Sequence, residues 1–558
     1  MPIAVTDAIA AAFAGLGREA PFAPARSLRL DEQEEFPDAE CRLLDSAGAA
    51  STYVPAELGG AHGGLPELVE TLRTVARHDM TTAVAHGKTF LGAASVWVRG
   101  SDAQRRRLAD LVLDGAVVSW GLTEPERGSD LLAGRLSATR TGDGGWRLDG
   151  EKYLINNATR GRYSCVLART HPEGGPRGFS LFLVDKEALA PGSWRSLPKQ
   201  PTHGIRGADI SGIAFAGAAV SDDALVGGVG EGIEIVLCAL QLTRTICSAL
   251  SLGAGEHALR MALEFTRDRE LYGKVLLELP YARRALATAL ATLQLAEATA
   301  TVGARSAHAL PAELGVVSAV VKAAVPELVQ ESIDVCAELL GARGFLTETY
   351  AHGEFQKLER DHRIVPIFDG STAVSRASLI NQFPALVRSY QKATYDATAL
   401  SMTTDASASL PAWDGSLLRV LGRGGCSVVQ GLPDMVRRAA DGRFHARTVT
   451  LAQHLLSSAD EVLHRMADVR PTPRDVPAAA FALARRYELC FAGASALGLL
   501  LTAVPALRAP GVVDVRLRLE AALARSVQLL DPDDKTSSVI CVNVQEELLS
   551  AVERAYES

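Results

Sequence analysis

The stretch "VVSWGLTEPERGSD", residues 117–130, marks a change in the texture of the chain. Before it, "LPELVETLRTVARHD" (65–79) and "SDAQRRRLADLVLDG" (101–115) carry apolar residues at three- and four-residue intervals, so residues 1–118 read as an N-terminal helical domain. After it come "GRLSATRT", "GWRLDGEKYLIN", "YSCVLART", "GFSLFLVD" and "ISGIAFAGAAV", short apolar or alternating runs separated by Gly, Asp and Pro. They predict an antiparallel β domain over 119–224, a barrel or a sandwich. Asp143-Gly144-Gly145 is a strong hairpin signal inside it. In the deciding stretch itself a strand ends in Thr123-Glu124-Pro125. Gly128-Ser129-Asp130 then offers backbone N–H groups and a hydroxyl in a tight turn. Such a turn can hold a polar ring edge or a phosphate, or be no more than a capped loop.

Helical periodicity returns from residue 225 to about 392, in segments long enough for a bundle. "GGVGEGIE" (227–234) spaces its glycines wrongly for a dinucleotide fingerprint and reads as a turn and helix start. Residues 393–415 are polar, small and Pro-containing and are expected to be a linker; 416–558 are expected to be an additional helical domain. The fold class is therefore mainly α with a central β domain.

At 558 residues and 47% hydrophobic, the chain can bury several cores. Its net charge of −8 is spread without long runs, and short basic clusters such as "AQRRRLAD" (103–110) sit at helical spacing, which argues against nucleic acid as a partner. The eight cysteines form no CxxC pair, so neither a zinc site nor a disulfide framework is expected, and no metal is called for. Neither a basic leader with a cleavage site nor an uninterrupted apolar run of spanning length stands out, so a cytoplasmic protein without a membrane span is expected. Lys is scarce, nine of 57 basic residues, a usage that suggests a high-GC bacterial gene and a place in specialised metabolism.

Six segments, "LTEPERGSD", "LDGEKYLINNA", "GIRGADISGIAFAGAAV", "RDRELYG", "LLGARGFLTE" and "IFDGST", occur in the order and at about the spacing of the acyl-CoA dehydrogenase family, and "PAELGG" (55–60) fits its N-terminal domain. Residues 35–390 resemble that family. The resemblance implies an N-terminal helical domain, a middle β-barrel and a C-terminal four-helix bundle, with non-covalent FAD and a homodimer that completes the cofactor site. It places Trp120, Leu122, Thr123, Gly128 and Ser129 along the flavin, Ser129 reaching the pyrophosphate or the substrate. Leu154 takes the place of the family's Trp, and Asn156 that of the Thr facing flavin N5. Arg269 matches the arginine that pairs with the FAD pyrophosphate, and Arg244 a substrate-side arginine. Gly370 and Ser371 fall at the substrate- and cofactor-facing turn.

Several positions depart from the pattern. Glu338 stands where the family often has Gln, Ala342 replaces a glycine, and Leu271 and Ala373 replace a Thr and a Gln. Asp369 in "IFDGST" aligns with the Glu of the family's "IYEGT", the base that takes the α-proton of a thioester, and is shorter by one methylene, about 1.5 Å. The family's alternative base position is Thr243, which cannot serve. An N-cap role for Asp369 is the competing explanation, and Ser371 or Thr372 could cap as well. The resemblance implies dehydrogenation of an acyl thioester on CoA or a carrier protein, with an electron-transfer flavoprotein or O₂ as acceptor. The alternatives are an oxidase or monooxygenase on the same fold, or a non-catalytic scaffold subunit.

Overall fold

The computed structural model describes residues 5–557 apart from 15, 16, 18, 62, 423, 471–475 and 505–511. It divides into two compact units, Met1–Ile246 with Asp414–Val420, and Cys247–Trp413 with Leu421–Ser558.

The first unit opens with α1 Val5–Phe13, α2 Pro24–Gln33, α3 Asp38–Ser46, α4 Leu65–Ala76, α5 Met80–Arg99 and α6 Asp102–Leu113. Local chemistry sets several of their ends. Asp79 accepts from the Thr82 N–H to start α5, and Ser101 with Gln104 forms a capping box on α6. The strands are β1 Val118–Gly121, β2 Ser137–Arg140, β3 Trp146–Asn156, β4 Tyr163–Arg169, β5 Phe179–Asp185, β6 Trp194–Leu197, β7 Ile210–Val220 and β8 Leu225–Val226. They form one eight-stranded sheet in the order β6-β7-β3-β2-β4-β5-β8, with β1 beside β4. The sheet is mixed, since β4 takes both β1 and β2 as parallel neighbours and the other pairs are antiparallel. Trp146 and Leu148 of β3, Val166 of β4, Phe182 of β5 and Phe215 of β7 share one core, against which Trp194 of β6 and Leu225 near the other edge also pack. Strands from both ends of the order thus surround the same apolar centre, and the sheet is rolled like a barrel. The Asp143-Gly144-Gly145 turn joins β2 to β3 as its sequence indicates, with Gly144 at φ 91°.

In the second unit α7 Gly232–Asp268, counted from Cys247, is followed by a tight hairpin of β9 Glu270–Leu271 and β10 Lys274–Val275, then by α8 Pro280–Ala309 and α9 Leu314–Leu340. Shorter helices follow: α10 Ala342–Phe345, α11 Glu354–His362, α12 Thr372–Ile380, α13 Phe383–Gln391 and α14 Ala397–Thr404. The chain ends with α15 Ser427–Gln430, α16 Leu432–Ala439, α17 Ala446–Met466, α18 Ala478–Thr502, α19 Val515–Leu530 and α20 Lys535–Glu557.

The structure adds detail at three of the expected domain boundaries. Residues 393–415 are not a simple linker: α14 lies within them with Ala399, Leu400, Thr403 and Thr404 buried. Arg305 of α8 donates to the carbonyls of Met402, Ala406 and Ala408, which ties the segment down. Small residues that read as flexible are here small because they pack. The additional C-terminal helices are present, and α18, α19 and α20 all pack on α8. Arg283 with Glu546 and Glu553, and Arg518 with Glu297, add ion pairs to that contact. Finally, Leu225–Val226 belongs to the sheet as β8 rather than to the bundle.

Two helices, Gly232–Asp268 and Pro280–Ala309, are long and apolar enough to cross a membrane, but their apolar windows are 94% and 67% buried inside the protein. They are core helices, whose hydrophobicity is spent on packing.

Candidate active site

The deciding stretch forms a ledge in the first unit. β1 ends at Gly121, and the chain then runs beside β3: the Tyr153 N–H donates to the Thr123 carbonyl at 2.9 Å, and Lys152 Nζ to the Leu122 carbonyl at 3.1 Å. Lys152 and Glu124 are both buried and pair at 2.8 Å. The remaining capacity of Glu124 is filled by the N–H groups of Arg135 and Leu136, at 2.6 and 3.0 Å. Burial alone would push the Glu124 carboxyl up. The Lys152 charge and hydrogen bond, with the two backbone donors, overcome that and hold it below its ordinary range. Burial pulls the Lys152 ammonium down, and Glu124 opposes it. This pair fixes the position of Leu122 and Thr123. Sequence reading passed over it, although a lysine inside the apolar strand "GEKYLIN" signals a buried counter-charge.

Three features of the ledge are costly without a ligand. Leu154 is 47% exposed and sits at φ 55° where β3 bulges against β7. A left-handed leucine is strained, and a bulge turns its side chain away from the regular pleat. Trp120 is buried, and its indole N–H has no hydrogen-bond partner among the described residues. The same holds for Asn156 Oδ1, while Asn156 Nδ2 donates weakly to the Val84 carbonyl at 3.4 Å. An unpaired donor, an unpaired acceptor and an exposed apolar side chain on neighbouring segments suit a flat, polar-edged ring system. The residues present therefore fit a flavin. Gly128 and Ser129 are exposed, and the tight turn lies just before them, where Glu124 and Arg127 bridge. Arg244 is buried on α7, and Thr243 on the same helix is fully buried with its hydroxyl turned to the Leu240 carbonyl.

In the second unit the "IFDGST" segment forms a turn between α11 and α12. Asp369 takes a left-handed conformation at φ 54° and Gly370 follows at φ 95°. Asp adopts this region more readily than most residues, and glycine without penalty. The cap of α12 is Ser371, whose hydroxyl accepts from the Val374 N–H at 3.3 Å. The capping explanation of Asp369 is therefore set aside, and its carboxylate faces Cys247 instead, Sγ donating to Oδ2 at 3.6 Å. Behind the turn, Lys322 of α9 is buried, donates to the Val365 carbonyl at 2.5 Å and lies 5.4 Å from the centre of the Phe368 ring. His362 is not a second base. Both its ring nitrogens are engaged, by Gln330 at 2.8 Å and Ser251 at 3.0 Å. Burial, then the charges of Arg363 and Lys322, push its pKa down to about 3.

The remaining expected residues lie elsewhere in this unit. Arg269 precedes the β9–β10 hairpin, whose turn residues Tyr272 and Gly273 have φ of 55° and 75°. Its guanidinium has no hydrogen bond or ion pair among the described residues. Glu338 is exposed and accepts from the Tyr281 hydroxyl at 2.5 Å, and Ala342 is exposed at the start of α10.

Family models for the N-terminal, middle and C-terminal domains of acyl-CoA dehydrogenase match residues 19–116, 119–218 and 230–383 in order. A probable acyl-CoA dehydrogenase of Mycobacterium tuberculosis is 28% identical over 350 residues, covering 62% of this chain and 87% of the relative. The solved acyl-CoA dehydrogenase complexed with FAD from Bacillus anthracis superposes with a TM-score of 0.68 at 19% identity, covering 99% of this chain and 90% of that one. A solved prolyl acyl carrier protein oxidase superposes with a TM-score of 0.60 at 18% identity, covering 68% of this chain and 97% of that one. The class so defined is that of FAD-dependent oxidoreductases acting on CH–CH bonds. The chain belongs to the acyl-CoA dehydrogenase family.

Proposed function

We propose that the protein removes hydrogen from the Cα–Cβ bond of an acyl thioester, with Asp369 as the base. The observation that carries this reading is the release of Asp369 from helix capping: the acid at the family's base position has a left-handed backbone held by its turn and a carboxylate not spent on the helix end. In its ionised form Asp369 takes the proton from the α-carbon, which the thioester carbonyl acidifies. FAD, when bound, supplies the two-electron acceptor for the hydrogen leaving the β-carbon. Trp120, Leu122, Thr123, Leu154 and Asn156 would hold its ring, with Gly128 and Ser129 beside them. Arg269, Glu338, Ala342 and Ser371 would serve the rest of the cofactor, the Arg269 fork, unpaired among the described residues, suiting a pyrophosphate. Arg244 and Gly370 would serve the substrate.

The thioester is carried on CoA or on a carrier protein, and the acceptor is an electron-transfer flavoprotein or O₂. The likeness to the carrier-protein oxidase supports keeping the second of each pair in view. Eight cysteines, none of them in a disulfide, suit a reducing, cytoplasmic setting. The almost fully exposed Tyr272 and Phe345 suit a homodimer in which a partner covers them. The test is a series of acyl-CoA and acyl-carrier thioesters mixed with the holoenzyme without oxygen, followed by flavin bleaching, with air then admitted to read reoxidation. Asp369→Asn should slow bleaching by on the order of a thousandfold while FAD content is kept. Bleaching as fast as wild type in that variant would reject Asp369 as the base.

A further inference from the structure

A base one methylene shorter than glutamate has two side-chain torsions with which to reach its substrate, so its direction is set by its backbone and its immediate neighbours. The backbone is held: Asp369 sits at φ 54° ahead of Gly370, the Thr372 N–H returns to the Pro366 carbonyl at 3.0 Å, and Lys322 pins the Val365 carbonyl and underlies Phe368. What remains is the rotamer of the carboxylate. On that side stands Cys247 of α7, 3% exposed, its Sγ 3.6 Å from Asp369 Oδ2 with the thiol donating.

We propose that Cys247 is a positioning residue for Asp369: its S–H holds Oδ2 and thereby presents Oδ1 to the substrate α-carbon. The inference rests on the reading of Asp369 as the base. A thiol is a weak donor, but its acceptor here carries charge, and a charged acceptor strengthens the bond. An aliphatic side chain at 247 would leave that carboxylate oxygen without this donor. In the chemical step Oδ1 gains the substrate proton while the thiol keeps its own, so Cys247 neither reacts nor turns over. Neither of the sequence patterns that identify reactive cysteines, a partner cysteine or a neighbouring histidine in sequence, marks this residue. Only the approach of the "IFDGST" turn to α7 gives it a role.

The experiment has two arms on the holoenzyme. In the first, the infrared S–H stretching band of Cys247 is isolated as the difference between wild type and Cys247→Ala, and then between Asp369→Asn and the double variant. A carboxylate is a stronger acceptor than an amide oxygen, so the band should lie at lower frequency with Asp369 than with Asn. An unshifted band overturns the proposal. Should Cys247→Ala lose its fold or its FAD, Cys247→Ser, which also lacks the S–H group, replaces it in both differences. In the second arm, anaerobic flavin reduction by a saturating thioester should slow about five- to tenfold in Cys247→Ala with KM little changed. Cys247→Ser, which keeps a donor, should recover to within about threefold of wild type. A wild-type rate in Cys247→Ala, with Asp369→Asn inactive, rejects the positioning role and leaves the base intact. A wild-type rate in Asp369→Asn rejects the base and this inference with it.

Discussion

The Ser371 hydroxyl accepts a hydrogen bond from the Val374 N–H at 3.3 Å and closes the first turn of α12, two residues after Asp369. The acid and the cap are therefore separate residues, and their substitutions should separate stability from catalysis. Ser371→Ala should cost about 1 kcal/mol in chemical denaturation. Asp369→Asn should leave stability within about 0.5 kcal/mol of wild type, since Asn tolerates the left-handed backbone as Asp does. Equal destabilisation in both variants would return the capping role to Asp369.

The buried Glu124–Lys152 pair gives a second expectation. Glu124→Gln leaves the Lys152 ammonium in an apolar setting with neutral oxygens and no counter-charge, and should cost about 3–5 kcal/mol. The double variant Glu124→Gln, Lys152→Met should be less damaged than the single one, because no uncompensated charge remains. Denaturation of the three variants measures this. Losses that simply add would show that the two residues do not act as a pair.

Glu313 gives a pH dependence. Its carboxyl accepts from the N–H and the hydroxyl of Ser427, both at 2.7 Å, yet burial pushes its pKa up to about 7 against those donors. The folded state thus holds this proton more tightly than the unfolded chain. Its contribution to stability is complete below pH 4.5, the ordinary value, and is lost as the pH rises through about 7. Across that window the loss should be of the order of 1–3 kcal/mol, and Glu313→Gln should flatten that part of the profile. Melting temperatures between pH 5 and 8, about that range, check it. An unchanged profile in the variant would assign the dependence to another group.

Arg269 should be the cofactor's main charged partner. Arg269→Ala removes hydrogen bonds to a charged group, each worth about 1.5–3 kcal/mol, and should weaken FAD binding by about ten- to a hundredfold. The ratio of flavin to protein absorbance after gel filtration reads the effect. Full retention would move the pyrophosphate site away from the β9–β10 hairpin.

Much of this architecture is carried by local pattern. The period of the apolar residues marks α4 and α6, the Asp143-Gly144-Gly145 turn marks the β2–β3 hairpin, and the ordered motifs mark the family, because backbone geometry and turn chemistry act over a few residues. Ala397–Thr404 shows where local pattern fails. Its small polar residues are those of a linker, yet they form a buried helix that packs on α8, where the Arg305 guanidinium, about a hundred residues earlier, takes the carbonyls of Met402, Ala406 and Ala408. The helices after residue 416 are legible as helices, but amphipathic spacing tells which face is buried and not against what, and the answer for α18, α19 and α20 is α8. At the site, the order of the residues alone places an acid at position 369 with glycine and two hydroxyl residues after it. The folded chain adds that Ser371 is the residue that caps, that Lys322 braces the turn and that Cys247 meets the carboxylate. The last two depend on contacts between α7, α9 and a turn far apart in the chain, and burial at long range leaves no periodic trace in the residues that it joins.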